Sequence, residues 1–321
     1  MKTKSKALEL PRYYKRFSKG GLDLIQVTLP GTGGTQPLPS RALACMAVHT
    51  NGASLLIDCG EGTQTRLRQC GISLYKLDAV LLTHYHGDHI FGLPGLLQTM
   101  GSQNRTAPLL VAGPVGIGSV SAAMEVLAGP LPFEVQWREL HPDETFAVGP
   151  LCVQSIPLQH RVRCLGYKIE LPRAGKFDAA KAKEENIPLA YWSLLQSGQS
   201  VAGFTPDQVL GSARRGLKLV YATDTSPCEA LLNAAQDADL LCMDATYADD
   251  ADLPKALLYG HSTCRQAGAL AAEANVRRLW LTHYSAAVTD TAPGLAAAQE
   301  KFAAARAGAD GLQEELEFDK V

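Results

Sequence analysis

The chain has 321 residues, 46% of them hydrophobic, which is enough to bury one large core or two smaller ones and too apolar for disorder as a default. A formal net charge of −2 excludes a global attraction to nucleic acid or membranes, so a polyanionic partner has to be held by local basic patches or by bound metal. No apolar run reaches membrane-spanning length, the basic N-terminal extension at residues 1–21 lacks a following signal-like segment, and the eight cysteines are scattered without Cys-x-x-Cys spacing, as buried reduced thiols of a soluble cytoplasmic protein would be.

Residues 22–27, 42–48 and 54–57 predict short strands separated by turns such as Gly31-Thr32-Gly33-Gly34. The apolar run Ala79-Val80-Leu81-Leu82 predicts another strand and leads directly into Thr83-His84-Tyr85-His86-Gly87-Asp88-His89. Side chains alternate in extended backbone, so His84 and His86 project together, while Asp88 and His89 lie beyond Gly87, where the chain can turn. Imidazole and carboxylate are ligands of zinc and similar divalent ions. Three of the eight histidines fall within residues 84–89, which argues against a polar loop that merely carries them.

From there strands and helices alternate: a helix at 93–100, a strand at 109–111, a helix at 115–127, and strands around Val135 and at 151–156. The C-terminal part repeats this logic, with strands at 217–222, 240–243 and 279–282 and helices at 228–235, 265–274 and 295–304. The pattern predicts an α/β fold of two packed mixed sheets with helices on both outer faces. Between the halves lies 172–216, where residues 176–183 read as helical and the rest is rich in Gly, Ser and Gln. A segment that long with little core signal predicts a functional or flexible insertion.

Three further ligand candidates each close an apolar run: His160, Asp224 and His283. Singly each is a weak signal, because strand-end His and Asp also serve as hydrogen-bonded turn residues. Together they complete two sites, His84, His86 and His160 for one metal and Asp88, His89 and His283 for the other, with Asp224 bridging. Two divalent ions held this way activate water near neutral pH and neutralise the attacking and leaving oxygens of a phosphoryl group.

Ile57-Asp58-Cys59-Gly60-Glu61-Gly62-Thr63-Gln64, the histidine block running into Gly92-Leu93-Pro94-Gly95-Leu96, Thr223-Asp224-Thr225, Gly260-His261-Ser262-Thr263 and Thr282-His283-Tyr284-Ser285 resemble, in order, motifs of the metallo-β-lactamase superfamily. Within it they are similar to short-form ribonuclease Z, a family of tRNA 3′-processing endonucleases. The resemblance covers about residues 22–287. It implies a four-layer αββα sandwich in a single domain, 1–321, and a zinc-dependent phosphodiesterase that removes the 3′ trailer of precursor tRNA to leave a 3′-hydroxyl. Two zinc ions are implied, with manganese as an alternative, and Asp88 doubles as general base. His261 would contact the scissile phosphate or protonate the leaving oxygen; a capped helix-start histidine is its competing role. Asp58 would orient a ligand imidazole, or simply form a turn. His49 and His141 carry no motif and read as ordinary surface or hydrogen-bonded residues.

The family's substrate-binding arm and its homodimer, in which one subunit's arm serves the other's site, are implied at 172–216. Arg173, Lys176, Lys181 and Lys183, with Arg214, Arg215 and Lys218, are candidate phosphate contacts, diluted by Asp178, Glu184, Glu185 and Asp207. The family's Gly-Pro pair is missing there, with Ile187-Pro188-Leu189-Ala190-Tyr191-Trp192 in its place. Tyr191 and Trp192 could stack on a base, anchor the arm or make a dimer contact. The family's His-Glu-Ala-Thr is Met243-Asp244-Ala245-Thr246, so the acid is shortened and reaches His261 only if the backbone compensates. The altered arm keeps open a phosphodiesterase or esterase acting on a small substrate such as a cyclic nucleotide. A non-catalytic binding module is the third reading, and retention of all seven ligands argues against it.

Overall fold

The computed structural model describes residues 24–319; the N-terminal extension at 1–21 lies outside the described residues. The first half of the chain forms β1 (Leu24–Gly31), β2 (Cys45–Thr50), β3 (Ala53–Ile57), α1 (Thr63–Gln69), β4 (Ala79–Leu81), α2 (Gly87–Ile90), α3 (Leu93–Ser102), β5 (Leu109–Pro114), α4 (Ile117–Ala128) and β6 (Val135–Leu140). The second half forms β7 (Thr145–Val148), β8 (Leu151–Pro157), β9 (Leu165–Arg173), α5 (Ala179–Glu184), α6 (Trp192–Gln196), β10 (Arg214–Ala222), α7 (Glu229–Ala235), β11 (Leu240–Asp244), α8 (Leu253–Tyr259), α9 (Cys264–Glu273), β12 (Leu279–Thr282), α10 (Ala292–Gln299), β13 (Ala305–Ala307) and β14 (Leu312–Glu317).

These strands make two seven-stranded sheets, ordered β14-β1-β2-β3-β4-β5-β6 and β13-β12-β11-β10-β9-β8-β7. Each is half antiparallel and half parallel: β3 through β6 run parallel in one, β10 through β13 in the other. Parallel strands need crossover helices, and these cover the outer faces. Side-chain alternation then divides each strand between two cores. Leu55 and Ile57 of β3 face the other sheet and meet a layer that includes Val153, Tyr167, Ile169, Leu219 and Trp280. Leu56 between them faces outward, with Leu67, Leu96 and Met100 of α1 and α3. Val220 and Leu241 likewise pack outward on α7 and α9 through Leu231, Ala267 and Leu270. The result is the four-layer αββα sandwich.

Some element boundaries differ from the sequence expectation. The helix expected at 295–304 is α10, Ala292–Gln299, which starts early because Pro293 suits a first turn; Ala305–Ala307 instead pairs with β12. The helix expected from residue 176 begins only after Asp178, whose carboxylate caps it by accepting from Lys181 N, while Phe177 bridges to Leu210. The strand β14 went unpredicted because Leu312–Glu317 is half acidic; it is an edge strand pairing antiparallel with β1, with Leu316 buried and Glu314 ion-paired to Arg278. The strand β9, also unpredicted, alternates buried Tyr167, Ile169 and Leu171 with half-buried Lys168 and Glu170. All eight cysteines are free, five of them buried. No helix among the described residues is long and apolar enough to cross a membrane.

Candidate metal centre and active site

The chemistry-bearing residues sit where strands end on one side of the sandwich. Asp58 follows β3, His84 follows β4, His160 follows β8, Asp224 follows β10, Asp244 closes β11 and His283 follows β12. Asp58, Asp224 and His283 have φ of 63°, 54° and 62°. A left-handed backbone is costly for residues other than glycine, and it turns each side chain sharply off its strand. The loop after Asp58 lies against the histidine motif backbone to backbone: Cys59 N donates to His89 O at 2.8 Å and Gly92 N to Cys59 O at 2.9 Å. A Cβ on Gly60 would meet Asp88 O at 2.0 Å, and one on Gly92 would meet Gly60 O at 2.0 Å. Those contacts explain the glycines of both motifs.

The seven residues expected as ligands converge. His84, His86, His160 and Asp224 form one group and Asp88, His89 and His283 another, with the ligand atoms of each group within 4.8 Å of one another. Asp224 lies between them. Its Oδ1 is 3.9 Å from both His84 Nε2 and His160 Nε2, and its Oδ2 is 3.1 Å from His89 Nε2 and 3.2 Å from His283 Nε2. Asp88 Oδ2 faces the second group, 3.4 Å from His89 Nε2 and 3.6 Å from His283 Nε2, and accepts from Thr35 N at 2.7 Å. The Nε2 atoms of His89, His160 and His283, together with Asp224 Oδ2, are buried and lack a partner in hydrogen-bond geometry. Buried polar atoms are ordinarily satisfied, so four orphans aimed at a common space fit divalent ions with nitrogen and oxygen ligands.

The opposite ring nitrogens are anchored. Thr83 Oγ1 donates to Asp58 and therefore accepts from His84 Nδ1, 3.0 Å away. Asp58 Oδ2 also takes His89 Nδ1 at 2.8 Å, so one fully buried carboxylate orients an imidazole in each group. His160 Nδ1 donates to Gly260 O at 2.9 Å, and His283 Nδ1 meets Thr246 Oγ1 at 3.1 Å. Each such bond leaves Nε2 to face the centre. The supporting roles of Thr83, Thr246 and the Gly260 carbonyl escaped the sequence reading; the one available signal was that each lies within a motif quoted for another residue.

Burial, then neighbouring His89, holds His84 well below its ordinary pKa, and burial also lowers His86 and His160 against the pull of Asp224. These rings are ready to ligate. Burial would lower His89 too, but Asp224 and Asp58 outweigh it and raise it well above its usual value. Burial opposes the ionisation of Asp224, yet His283, His89 and His84 keep it a carboxylate.

His261 stands beside the two groups, its ring 5.0 Å from that of His160 and stacked at 5.5 Å on that of His283. The shortened acid does reach it: Asp244 Oδ2 lies 2.7 Å from His261 Nδ1. The backbone compensates by folding around this carboxylate, with Thr246 N and Ser262 N donating to Oδ1 at 2.9 and 3.1 Å. Burial pulls the His261 imidazole down, but Asp244, then Asp224 and Asp88, lift it to about 9.

Known proteins place this cleft in context. The chain is 42% identical over 302 residues to the Ribonuclease Z of Lachnoclostridium phytofermentans, an alignment that spans 92% of this chain and 99% of that protein. It is 40% identical over 302 residues to the Ribonuclease Z of Agathobacter rectalis, covering 92% and 100%. The chain belongs to the ribonuclease Z family. The model of the beta-lactamase superfamily domain matches residues 191–284, and that of the anti-Pycsar protein Apyc1 matches residues 25–115. The metallo-beta-lactamase fold protein YhfI from Bacillus subtilis superposes with a TM-score of 0.68 at 22% identity, over 91% of this chain and 99% of that one. Human tRNase Z, short form, gives 0.65 at 24% identity, over 91% and 100%. These structures show the metallo-β-lactamase fold, and the chain is a metal-dependent hydrolase.

In this ribonuclease Z family member the insertion expected at 172–216 is narrower: β9 runs to Arg173 and β10 begins at Arg214, so residues 174–213 leave and rejoin the second sheet between them. The insertion has a small core of its own: Ala182, Ile187, Leu195 and Val209, with Phe177, Tyr191, Trp192 and Phe204 packed on it. Trp192 Nε1 donates to Ile187 O at 3.0 Å, and its ring lies 5.2 Å from Phe177. Trp192 is thus held within the segment. Of the expected phosphate contacts, Lys176, Lys181 and Lys183 are exposed. Arg173 is engaged elsewhere, over the Phe318 ring and donating to Asp319 O, and Arg215 and Lys218 are tied to Asp239 and Gln236.

Proposed function

We propose that the protein is an endoribonuclease that removes the 3′ trailer of precursor tRNA and leaves a 3′-hydroxyl on the tRNA. The observation that carries this reading is the identity of 42% to a Ribonuclease Z across 99% of that protein's length, which takes in both the cleft and the insertion. We assign His84, His86 and His160 to one zinc ion, Asp88, His89 and His283 to a second, and Asp224 to both. When bound, the pair supplies an activated water and neutralises charge on the phosphate. Asp58 and Thr83 keep the ligand imidazoles in the ligating tautomer. Asp88 accepts the proton of the attacking water, and His261, kept protonated by Asp244, gives a proton to the 3′-oxygen as the phosphorus–oxygen bond breaks.

Residues 174–213 then act as the substrate arm, with Lys176, Lys181 and Lys183 against RNA phosphates, in a homodimer where each arm serves the partner subunit's cleft. The eight free cysteines suit the reducing cytoplasm. The test is to incubate the zinc-loaded protein with a precursor tRNA carrying a 3′ trailer and to map the ends. A single cut that yields a 3′-hydroxyl on the tRNA is expected. Rapid turnover of small phosphodiesters with an intact trailer would overturn the RNA assignment in favour of a small-substrate phosphodiesterase.

A further inference from the structure

The turn between β8 and β9 places Arg161 directly after His160 at the mouth of the metal cleft. Its guanidinium lies 5.0 Å over the ring of Tyr259, the last residue of α8, and both side chains are exposed. Among the described residues no carboxylate is within ion-pair distance of Arg161, whereas Arg138, Arg265, Arg277 and Arg278 are all paired with acids. The backbone beneath Arg161 is clamped. Ser226 N donates to Gln159 O at 2.9 Å, Leu158 N to Cys164 O at 3.0 Å, and His160 Nδ1 to Gly260 O at 2.9 Å. Gly260, at φ 69°, packs so tightly that a Cβ there would sit 2.9 Å from His160 Cα and 3.2 Å from Arg161 N.

A guanidinium stacked on an aromatic face loses little freedom when it binds, and its edge matches the paired oxygens of a phosphate. The cleft behind it is lined by the acids Asp88 and Asp224, so an RNA strand entering it needs cationic contacts at the rim. We propose that Arg161, backed by Tyr259, binds the backbone phosphate next to the scissile one and so positions the strand over the metals. This rests on the RNA assignment above.

The test measures KM for precursor tRNA as a function of potassium chloride with zinc-loaded protein, alongside zinc content and hydrolysis of bis(4-nitrophenyl) phosphate. Arg161→Ala should raise KM about tenfold at low salt and reduce the salt slope by about 0.7–0.9, the value of one phosphate contact. Zinc content and hydrolysis of the small diester should stay at wild-type levels. Arg161→Lys should keep the slope with an intermediate KM, and Tyr259→Ala should keep the slope but raise KM, because the charge remains while its support is lost. An unchanged salt slope in Arg161→Ala would overturn the proposal. So would equal losses on both substrates, which would mean that Arg161 merely supports His160. If the wild-type protein leaves the trailer intact while hydrolysing the diester, it is the RNA assignment that fails, and this inference falls with it.

Discussion

The metal cleft and the insertion at residues 174–213 are stabilised in opposite ways. In the cleft three of the anchored imidazoles depend on a residue from another element: His89 on Asp58 after β3, His160 on Gly260 after α8, His283 on Thr246 after β11. Both sheets must be assembled before the site exists. The insertion closes on itself through Ile187, Leu195, Val209 and the rings packed on them, and at its base Gly175 lies so near Gly211 that a Cβ would meet its carbonyl oxygen at 1.9 Å. The metal centre is therefore tied to the whole fold, whereas the insertion, which we propose grips the substrate, has a small core of its own. Variants in the two regions should fail differently.

The largest effect belongs to Asp224, whose two oxygens face different ligand groups. Asp224→Ala should lose metal from both groups and lower turnover on every substrate on the order of 10⁴-fold. Elemental analysis checks it; full occupancy of both sites in the variant would remove the bridging assignment. His261→Ala should behave otherwise. Its ring is adjacent to the ligands but anchored on Asp244, so zinc content should be retained while cleavage of precursor tRNA falls on the order of 10²–10⁴-fold. Aryl phosphodiesters, whose leaving groups need less help from a proton donor, should show a smaller defect. An equal defect on all leaving groups would make His261 a phosphate contact instead.

The same contrast sets how much could be read from the sequence. The seven converging residues were legible because four of them crowd into one motif just after the apolar run at residues 79–82 and His160, Asp224 and His283 each close an apolar run of their own, and a strand end is where a side chain can leave the sheet for a cleft. Asp58 also ends an apolar run, but its role, like that of His261, was reached only through the resemblance of Ile57 to Gln64 and Gly260 to Thr263. The supports were not legible, since a Thr83 hydroxyl or a Gly260 carbonyl has no spacing that announces its partner. Asp244 shows the limit most clearly: side-chain length alone counsels against a contact with His261, and only the folding of Thr246 and Ser262 around the carboxylate brings the groups to 2.7 Å. In the insertion, Tyr191 and Trp192 left base stacking, arm anchoring and a dimer contact open. The side-chain packing of Trp192 on Phe177 is tertiary information.

Replacing residues 175–211 by a short linker tests the separability directly, because β9 and β10 still pair at Arg173 and Arg214. Cleavage of precursor tRNA should fall about 10–100-fold through loss of the lysine–phosphate contacts, with hydrolysis of a small aryl phosphodiester and zinc content retained. Loss of both activities would show that the insertion supports the cleft. Mixing this variant with His261→Ala should restore tRNA cleavage if each arm serves the partner subunit, since the mixed dimer carries one intact arm opposite one intact cleft.

The smallest effect is a displacement along the pH axis. Burial lowers the affinity of His261 for a proton, and it is Asp244, by charge and hydrogen bond, that reverses this and lifts the imidazole to about 9. As a proton donor His261 works in its protonated form, so the rate should fall as pH rises through the folded-state pKa. The same pairing stabilises the fold below the ordinary histidine pKa and ceases to do so as pH climbs through about 9. Asp244→Asn keeps the size of the side chain and an acceptor for His261 Nδ1 but removes the charge, so burial becomes the dominant influence. With both proteins loaded with zinc, the alkaline limb of the pH–rate profile on precursor tRNA should move to lower pH in the variant. The rate at acidic pH should change least, because there His261 is protonated in both. An alkaline limb that stays in place would show that it reports another group, and would leave Asp244 as an orienting side chain only.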